Sequence, residues 1–360
     1  SSSNNNYRRE KSSIEILSNN NNNNTLLPLP SQVLNRIHKI CNEISPGLFV
    51  PNIATYTMIL DGASNCPNPE ERIVFSRNLV EELWEKSQQC TESWFSSNTD
   101  LRPTIVTFGT LIKGLSKSNA VSHAEEAERW LRRLEEIHEE QQQTFSGGGD
   151  DLRPNTVIYT NVIHAWANVG KADHAEALLQ EMYLKYHQSE NPDVRPTLKT
   201  FNTVLSAWSK SSSPDAYKSA FDLFDLMNEF SESRRDGDLR PDIVTYNCLL
   251  STIATRPTHH DAVNRAESIM EMILSTTTTK SSSSSSLVKP TKVTYLVLFR
   301  ILAASGISDN AERAQRWLSL SNSKSLSTDD DLLRHINNMR SKIEGSSITE
   351  SEGGIEGNDD

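Results

Sequence analysis

A chain of 360 residues, 36% of them hydrophobic, has material for two or three compact domains or for one extended array. Its formal charge of −11, with 36 basic against 47 acidic residues, argues against binding that rests on bulk positive charge, while a local basic stripe stays compatible with an acidic total. Cys41, Cys66, Cys90 and Cys248 form no CxxC pair, against a zinc site or a disulfide framework, and no run reaches the ~18 apolar residues of a membrane span.

In chain order, residues 1–30 are a Ser/Asn-rich segment ("SSSNNN", then "SNNNNNN" at Ser18–Asn24) that buries too little apolar surface to offset its ordering entropy; it is expected to be disordered. The sequence begins at Ser1, so it carries no reading on an amino-terminal targeting peptide. "SQVLNRIHKICNEIS" (Ser31–Ser45) follows as one amphipathic helix. A phrase then recurs six times: PNIATYTMILDGA from Pro51, PTIVTFGTLIKGLSK from Pro103, PNTVIYTNVIHAWANVG from Pro154, PTLKTFNTVLSAWSK from Pro196, PDIVTYNCLLSTIA from Pro241 and PTKVTYLVLFRILAASG from Pro290. An aromatic stands five residues after each proline: Tyr56, Phe108, Tyr159, Phe201, Tyr246 and Tyr295. Proline, a short polar residue and an apolar face at three- and four-residue spacing predict a helix start.

A second apolar-periodic run follows the first in the copies, as in "KADHAEALLQEMYLKY". Its stripe opens on a small residue, at Ala127, Ala175, Ala220, Ala266 and Ala314, which lets two antiparallel helices approach closely. Each unit is therefore a helical hairpin, and stacked hairpins make a solenoid. Proline-to-proline spacings of 52, 51, 42, 45 and 49 residues are uneven. The excess lies in "QQQTFSGGGDD", "STTTTKSSSSSS" and "SRRDGD", read as loops after the second helices, where insertions are tolerated. Residues 31–321 form the array, and 322–360 a capping helix with an acidic disordered tail; from Ser321 on, 4 basic and 9 acidic residues carry −5 of the total.

"IVTYNCLL", "ANVGKADHAEALLQEM" and the recurrent "RP" pair resemble pentatricopeptide repeats, helical hairpins of roughly 35 residues. The resemblance covers about Pro51 to Ser321, and Tyr159 to Met182 follows the pattern without insertion. Ser31–Ser45 fits the second helix of a degraded leading repeat. The copy from Pro51 departs in its long turn ("GASNCPNPEE"), and the last copy in Leu296, where the family carries a polar residue; both ends read as caps. The implied fold is all-α, a right-handed α-solenoid superhelix.

The implied function is sequence-selective binding of single-stranded RNA, one base per repeat, in mitochondria or plastids, serving RNA processing, stability or translation. The family reads each base with the residue after the aromatic and the residue after the next repeat's proline. Here those pairs are Thr57 with Thr104, Gly109 with Asn155, Thr160 with Thr197, Asn202 with Asp242, and Asn247 with Thr291. Asn202 with Asp242 implies uridine, Asn247 leans to a pyrimidine, Thr57 and Thr160 lean to purines, and Gly109 removes a reader. Asn, Asp and Thr after a proline serve equally as helix N-caps, each worth on the order of 1 kcal/mol. Three residues after the prolines stand Ala54, Val106, Val157, Lys199, Val244 and Val293, which in the family sandwich the base plane. Before the prolines stand Arg102, Arg153, Arg195, Arg240 and Lys289, a cation ladder for successive phosphates. The bland alternative pairs the arginines with Asp100, Asp151, Asp193 and Asp238 in exposed turns. Trp166, Trp208, Trp130 and Trp317 read as packing core rather than base platforms.

No chemistry is signalled. His138 and Glu140 fit the HxE of a nucleic-acid deaminase, but no CxxC follows. Asp329–Asp331 reads as an acidic helix entry, and His259 and His260 lack metal-ligand company. No enzyme, cofactor, metal, membrane or small-molecule substrate is expected. Single-stranded RNA is the expected partner, with the long inter-repeat loops open to protein partners. The rival is a protein-binding scaffold of the tetratricopeptide kind, favoured by the acidic total and the degenerate readers.

Overall fold

The computed structural model describes residues 30–39, 51–89, 101–144, 152–189, 192–233, 239–256, 261–276, 288–305 and 310–322. The expectations for residues 1–29 and 323–360, for Cys41 and Cys90, and for His259 and His260 lie outside them. The described residues hold thirteen α-helices and no strand, in two compact units that divide between Pro103 and Thr104.

In the first unit, α1 (Pro30–Lys39) packs on α2 (Ile53–Ala63) and α3 (Pro69–Gln89). His38 Nε2 lies 3.2 Å from the Tyr56 hydroxyl, which ties the leading helix to the first repeat. The proline-bearing turn ends in its own cap, since Asn68 accepts from the Glu70 and Glu71 amides and Pro69 takes the first helical position.

The second unit alternates first and second helices: α4 (Ile105–Ser116), α5 (Val121–Thr144), α6 (Thr156–Asn168), α7 (Ala172–Ser189), α8 (Leu198–Lys210), α9 (Ala216–Ser233), α10 (Ile243–Ala254), α11 (Ala262–Thr276), α12 (Lys292–Ala304) and α13 (Asn310–Asn322). First helices pack successively, α4 on α6, α6 on α8, α8 on α10 and α10 on α12. Each of α5, α7, α9 and α11 is wedged between its own first helix and that of the next repeat. This is the stacked helical hairpin of a solenoid.

The core is the expected apolar frame. Phe108, Tyr159, Phe201, Tyr246 and Tyr295 are buried, as are Ala127, Ala175, Ala220, Ala266 and Ala314. With no side chain beyond Cβ, each alanine lets its helix settle against the facing one. Between α6 and α7 the chain turns at Gly170, whose φ of 75° is the left-handed conformation glycine adopts without strain; the Lys171 amide closes the turn on the Trp166 carbonyl at 3.0 Å.

One boundary needs correcting. "QQQT" was expected to open a loop, yet α5 continues through Gln141 to Thr144. Glutamine is a good helix former, and adding a residue to an existing helix costs far less than nucleating one. The amphipathic face had already ended, so periodicity was silent there.

Candidate nucleic-acid interface

Every first helix starts alike. Asn52, Thr104, Asn155, Thr197, Asp242 and Thr291 are all extended N-caps whose side chains accept from amides of the first turn. At Thr104, Thr197, Asp242 and Thr291 the cap is reciprocal: a threonine three residues on, Thr107, Thr200, Thr245 or Thr294, bonds back to the cap's own backbone. At these positions capping is thus realised, and any reading role is additional to it.

Stacking brings variable residues of adjacent repeats together. Asn202 Nδ2 donates to Asp242 Oδ1 at 3.0 Å, so the expected pair is a physical contact across the repeat boundary. Thr160 is set back: only 6% exposed, its hydroxyl bonds the Thr156 carbonyl at 2.7 Å and lies 3.0 Å from Thr200 Oγ1. Asn247 Oδ1 accepts from Thr294 at 2.8 Å rather than from the Thr291 cap. Gly109 faces Ile158, whose Cδ1 would lie 3.3 Å from an added Cβ. Thr57 and Thr104 belong to different units; the Thr57 hydroxyl bonds the Ile53 carbonyl.

The aliphatic line is exposed. Val106, Val157, Val244 and Val293 are 63%, 60%, 49% and 54% accessible, and Ala54 and Lys199 are exposed at the same register. Large apolar side chains repeated at one solvent-facing register are poorly explained by folding. Of the cation ladder, Arg102, Arg240 and Lys289 are exposed, and Arg153 and Arg195 half-buried. Arg153 Nη2 pairs with Asp193 at 2.6 Å, the aspartate before the next rung; Asp100, Asp151 and Asp238 lie outside the described residues.

Three features were missed in the sequence. The buried threonines before the aromatics, Thr200, Thr245 and Thr294, touch the variable residues; their recurrence three positions after the caps was the available signal. The tryptophans, expected as core, are also latches. Trp166 Nε1 donates to Glu128 at 2.8 Å, Trp208 to Glu176 at 2.7 Å and Trp317 to Glu267 at 2.9 Å, each reaching a helix of the preceding repeat. Trp130 is half-buried, with its ring against Phe108.

The third is a charged cluster between α5 and α7. Arg132 grips Glu181 with both terminal guanidinium nitrogens, at 2.6 and 2.7 Å, and also reaches Glu135 at 3.0 Å. Lys185 bonds Glu135 and Glu181, and the buried Tyr159 hydroxyl donates to Glu135. Burial alone would raise the Glu181 carboxyl, but the Arg132 and Lys185 hydrogen bonds outweigh it and hold its pKa down at about 2. The Tyr159 phenol is pushed well above its ordinary value by burial and by Glu135. Elsewhere, burial raises the Cys248 thiol to about 11, which keeps it inert, and burial with nearby Lys199 and Lys210 lowers His164. Among the described residues, no group of three His, Cys, Asp or Glu could hold a metal ion, and no helix is long and apolar enough to cross a membrane.

The pentatricopeptide repeat domain model matches residues 148–211, which span α6 to α8 with the caps Asn155 and Thr197 and the variable Thr160 and Asn202. Over that stretch the chain resembles a pentatricopeptide repeat. A pentatricopeptide repeat-containing protein of Arabidopsis thaliana is 32% identical over 117 residues, 32% of this chain and 17% of that protein. A second, chloroplastic, one from the same plant is 25% identical over 206 residues, 57% of this chain and 21% of that protein. The matched part of this chain thus spans about a fifth of the length of these two relatives. Among solved structures, the pentatricopeptide repeat protein PPR10 in complex with an 18-nt psaJ RNA element aligns at 16% identity and a TM-score of 0.41, over 92% of this chain and 44% of that one. PPR10 from maize aligns at 18% and 0.32, over 90% and 46%.

Proposed function

We propose that this chain binds single-stranded RNA along the starts of its first helices, one nucleotide per repeat boundary, as a passive organellar factor that covers or reshapes an RNA segment. The observation that carries the reading is the Asn202–Asp242 contact beside the exposed Val244: a short polar pair able to meet a base edge, next to an apolar surface able to meet a base face. Arg102, Arg153, Arg195, Arg240 and Lys289, each directly before a repeat's proline, supply cations for the backbone. Within the second unit, recognition then uses Gly109, Thr160, Asn202 and Asn247 with the caps Asn155, Thr197, Asp242 and Thr291. The organellar assignment leans on the family and on the chloroplastic relative. The action needs no chemistry: these are groups that bind and orient.

The test is a titration of random and of uridine-containing single-stranded RNA at two salt concentrations. It compares wild type with a variant carrying Arg102→Glu, Arg153→Glu, Arg195→Glu and Arg240→Glu together. Micromolar or tighter binding that weakens with salt and disappears in the variant is expected. Wild-type protein that shows no salt-sensitive binding to either RNA overturns the reading in favour of a protein-binding scaffold.

A further inference from the structure

The buried threonines Thr200, Thr245 and Thr294 play no part in the interface drawn above, yet each crosses a repeat boundary to touch a variable residue. We propose that they are positioning residues for base selection: each holds the preceding repeat's variable side chain in one orientation, and so fixes the order in which donor and acceptor meet a base. The proposal rests on the RNA-binding reading and deepens it.

Asn202 shows the logic. The Asp242 carboxylate can only accept, so the amide atom facing it at 3.0 Å is the nitrogen. The amide oxygen therefore faces Thr245 Oγ1 at 2.7 Å, and because that oxygen can only accept, the threonine donates. Thr245 Oγ1 in turn accepts from the Asp242 amide at 3.2 Å, and of the two acceptors its single proton faces, Asn202 Oδ1 at 2.7 Å is nearer than Asp242 Oδ1 at 3.0 Å. The circuit closes on itself and uses one N–H and one lone pair of the Asn202 amide. One N–H and one lone pair remain for a base, in one fixed order. An amide free to turn over can offer either order, serving the N3–H and carbonyl of uracil or the N3 and amino group of cytosine. A locked amide serves only one.

The other boundaries grade as this predicts. At Asn247 the oxygen is held by Thr294, but the next cap is the Thr291 hydroxyl, which lies 3.0 Å from Thr294 Oγ1 in place of a carboxylate gripping the amide nitrogen. Opposite Gly109, where there is no side chain to hold, the threonine is replaced by Ile158. The hydroxyl is present where a polar variable residue faces it within this unit, and gives way to a methyl group where none does.

The full chain is mixed with a randomised single-stranded RNA pool and the bound fraction sequenced, for wild type, Thr245→Val, Thr245→Ser and Thr294→Val. Valine keeps the shape and removes the hydroxyl. Wild type is expected to prefer uridine over cytidine at one position, more sharply than at its neighbour. Thr245→Val should cut that uridine-to-cytidine ratio about fivefold or more at the one position, as losing a directing hydrogen bond implies. Thr294→Val should act on the neighbouring position instead, and Thr245→Ser should restore the wild-type ratio. Unchanged ratios in Thr245→Val, or an equal fall at every position, overturn the proposal while leaving RNA binding standing. Wild type that retains no RNA overturns the parent reading, and this proposal with it.

Discussion

Asp242 answers to two repeats at once, capping α10 through the Thr245 amide at 2.9 Å and holding Asn202 of the repeat before. Single side chains at the boundaries thus combine folding and candidate binding roles, and substitutions should separate the two. Arg153 and Asp193 keep 36% and 48% of their side chains open to solvent, so their ion pair adds little to stability, at most about 1 kcal/mol. The same carboxylate competes with phosphate for the guanidinium. Asp193→Asn is therefore expected to leave the melting temperature within about 2 °C of wild type and to tighten RNA binding two- to fivefold at low salt. Weaker binding in a filter assay would count against a phosphate role for Arg153. At Gly109, asparagine alone would press on Ile158 and find no hydroxyl. Gly109→Asn with Ile158→Thr should create a pyrimidine preference at one further position, read by sequencing bound RNA, where the single substitution creates none.

At the scale of the helices, the apolar frame was legible because it repeats. Proline, aromatic and alanine positions recur in phase, so the hairpins and their buried faces could be placed from spacing alone. The polar links between helices were less legible, because hydrogen bonds such as Trp208 to Glu176 join residues 32 apart; their one repeating trace is that Glu128, Glu176 and Glu267 each follow a recurring alanine. The pairing of Arg153 with the aspartate before the following rung likewise depends on how one hairpin sits on the next. These links are testable. Trp208→Phe keeps most of the buried ring and takes one of its donors from a half-buried carboxylate that burial already raises, leaving the Gln180 amide, so a loss of about 1–2 kcal/mol in urea unfolding is expected. Glu181 gives a pH signature. Its folded pKa lies below its unfolded value, so its contribution is complete above about pH 4.5 and is lost as pH falls toward about 2. The urea midpoint of wild type should exceed that of Glu181→Gln near pH 6, and the gap should close between pH 4.5 and 2. A constant gap across that range would show that the Arg132 and Lys185 contacts do not hold the carboxylate.

Across the whole second unit, each helix packs on its neighbours along the chain, so stability should be a sum of local terms rather than one all-or-none quantity. Phe201→Ala empties a fully buried site and should cost about 3–5 kcal/mol where it sits. Hydrogen exchange should then quicken in α6 to α10 while α12 and α13 keep wild-type protection; uniform acceleration would mean the unit unfolds as one body. RNA binding, by contrast, should draw on the whole ladder. The four cations of this unit on a single strand predict a log–log salt slope of about −3, and each arginine removed should lessen it by about 0.7.

Because a cap at one hairpin's start grips the amide of the hairpin before it, the natural cut for protein engineers does not fall at the prolines. Exchanging the segment from Pro196 to Arg240 would leave both flanking contacts chimeric, one half native and one half foreign. A cassette that runs from just after the Thr200 position to the Thr245 position would carry Asn202, Asp242 and Thr245 as an intact recognition cartridge, ready to be moved between scaffolds.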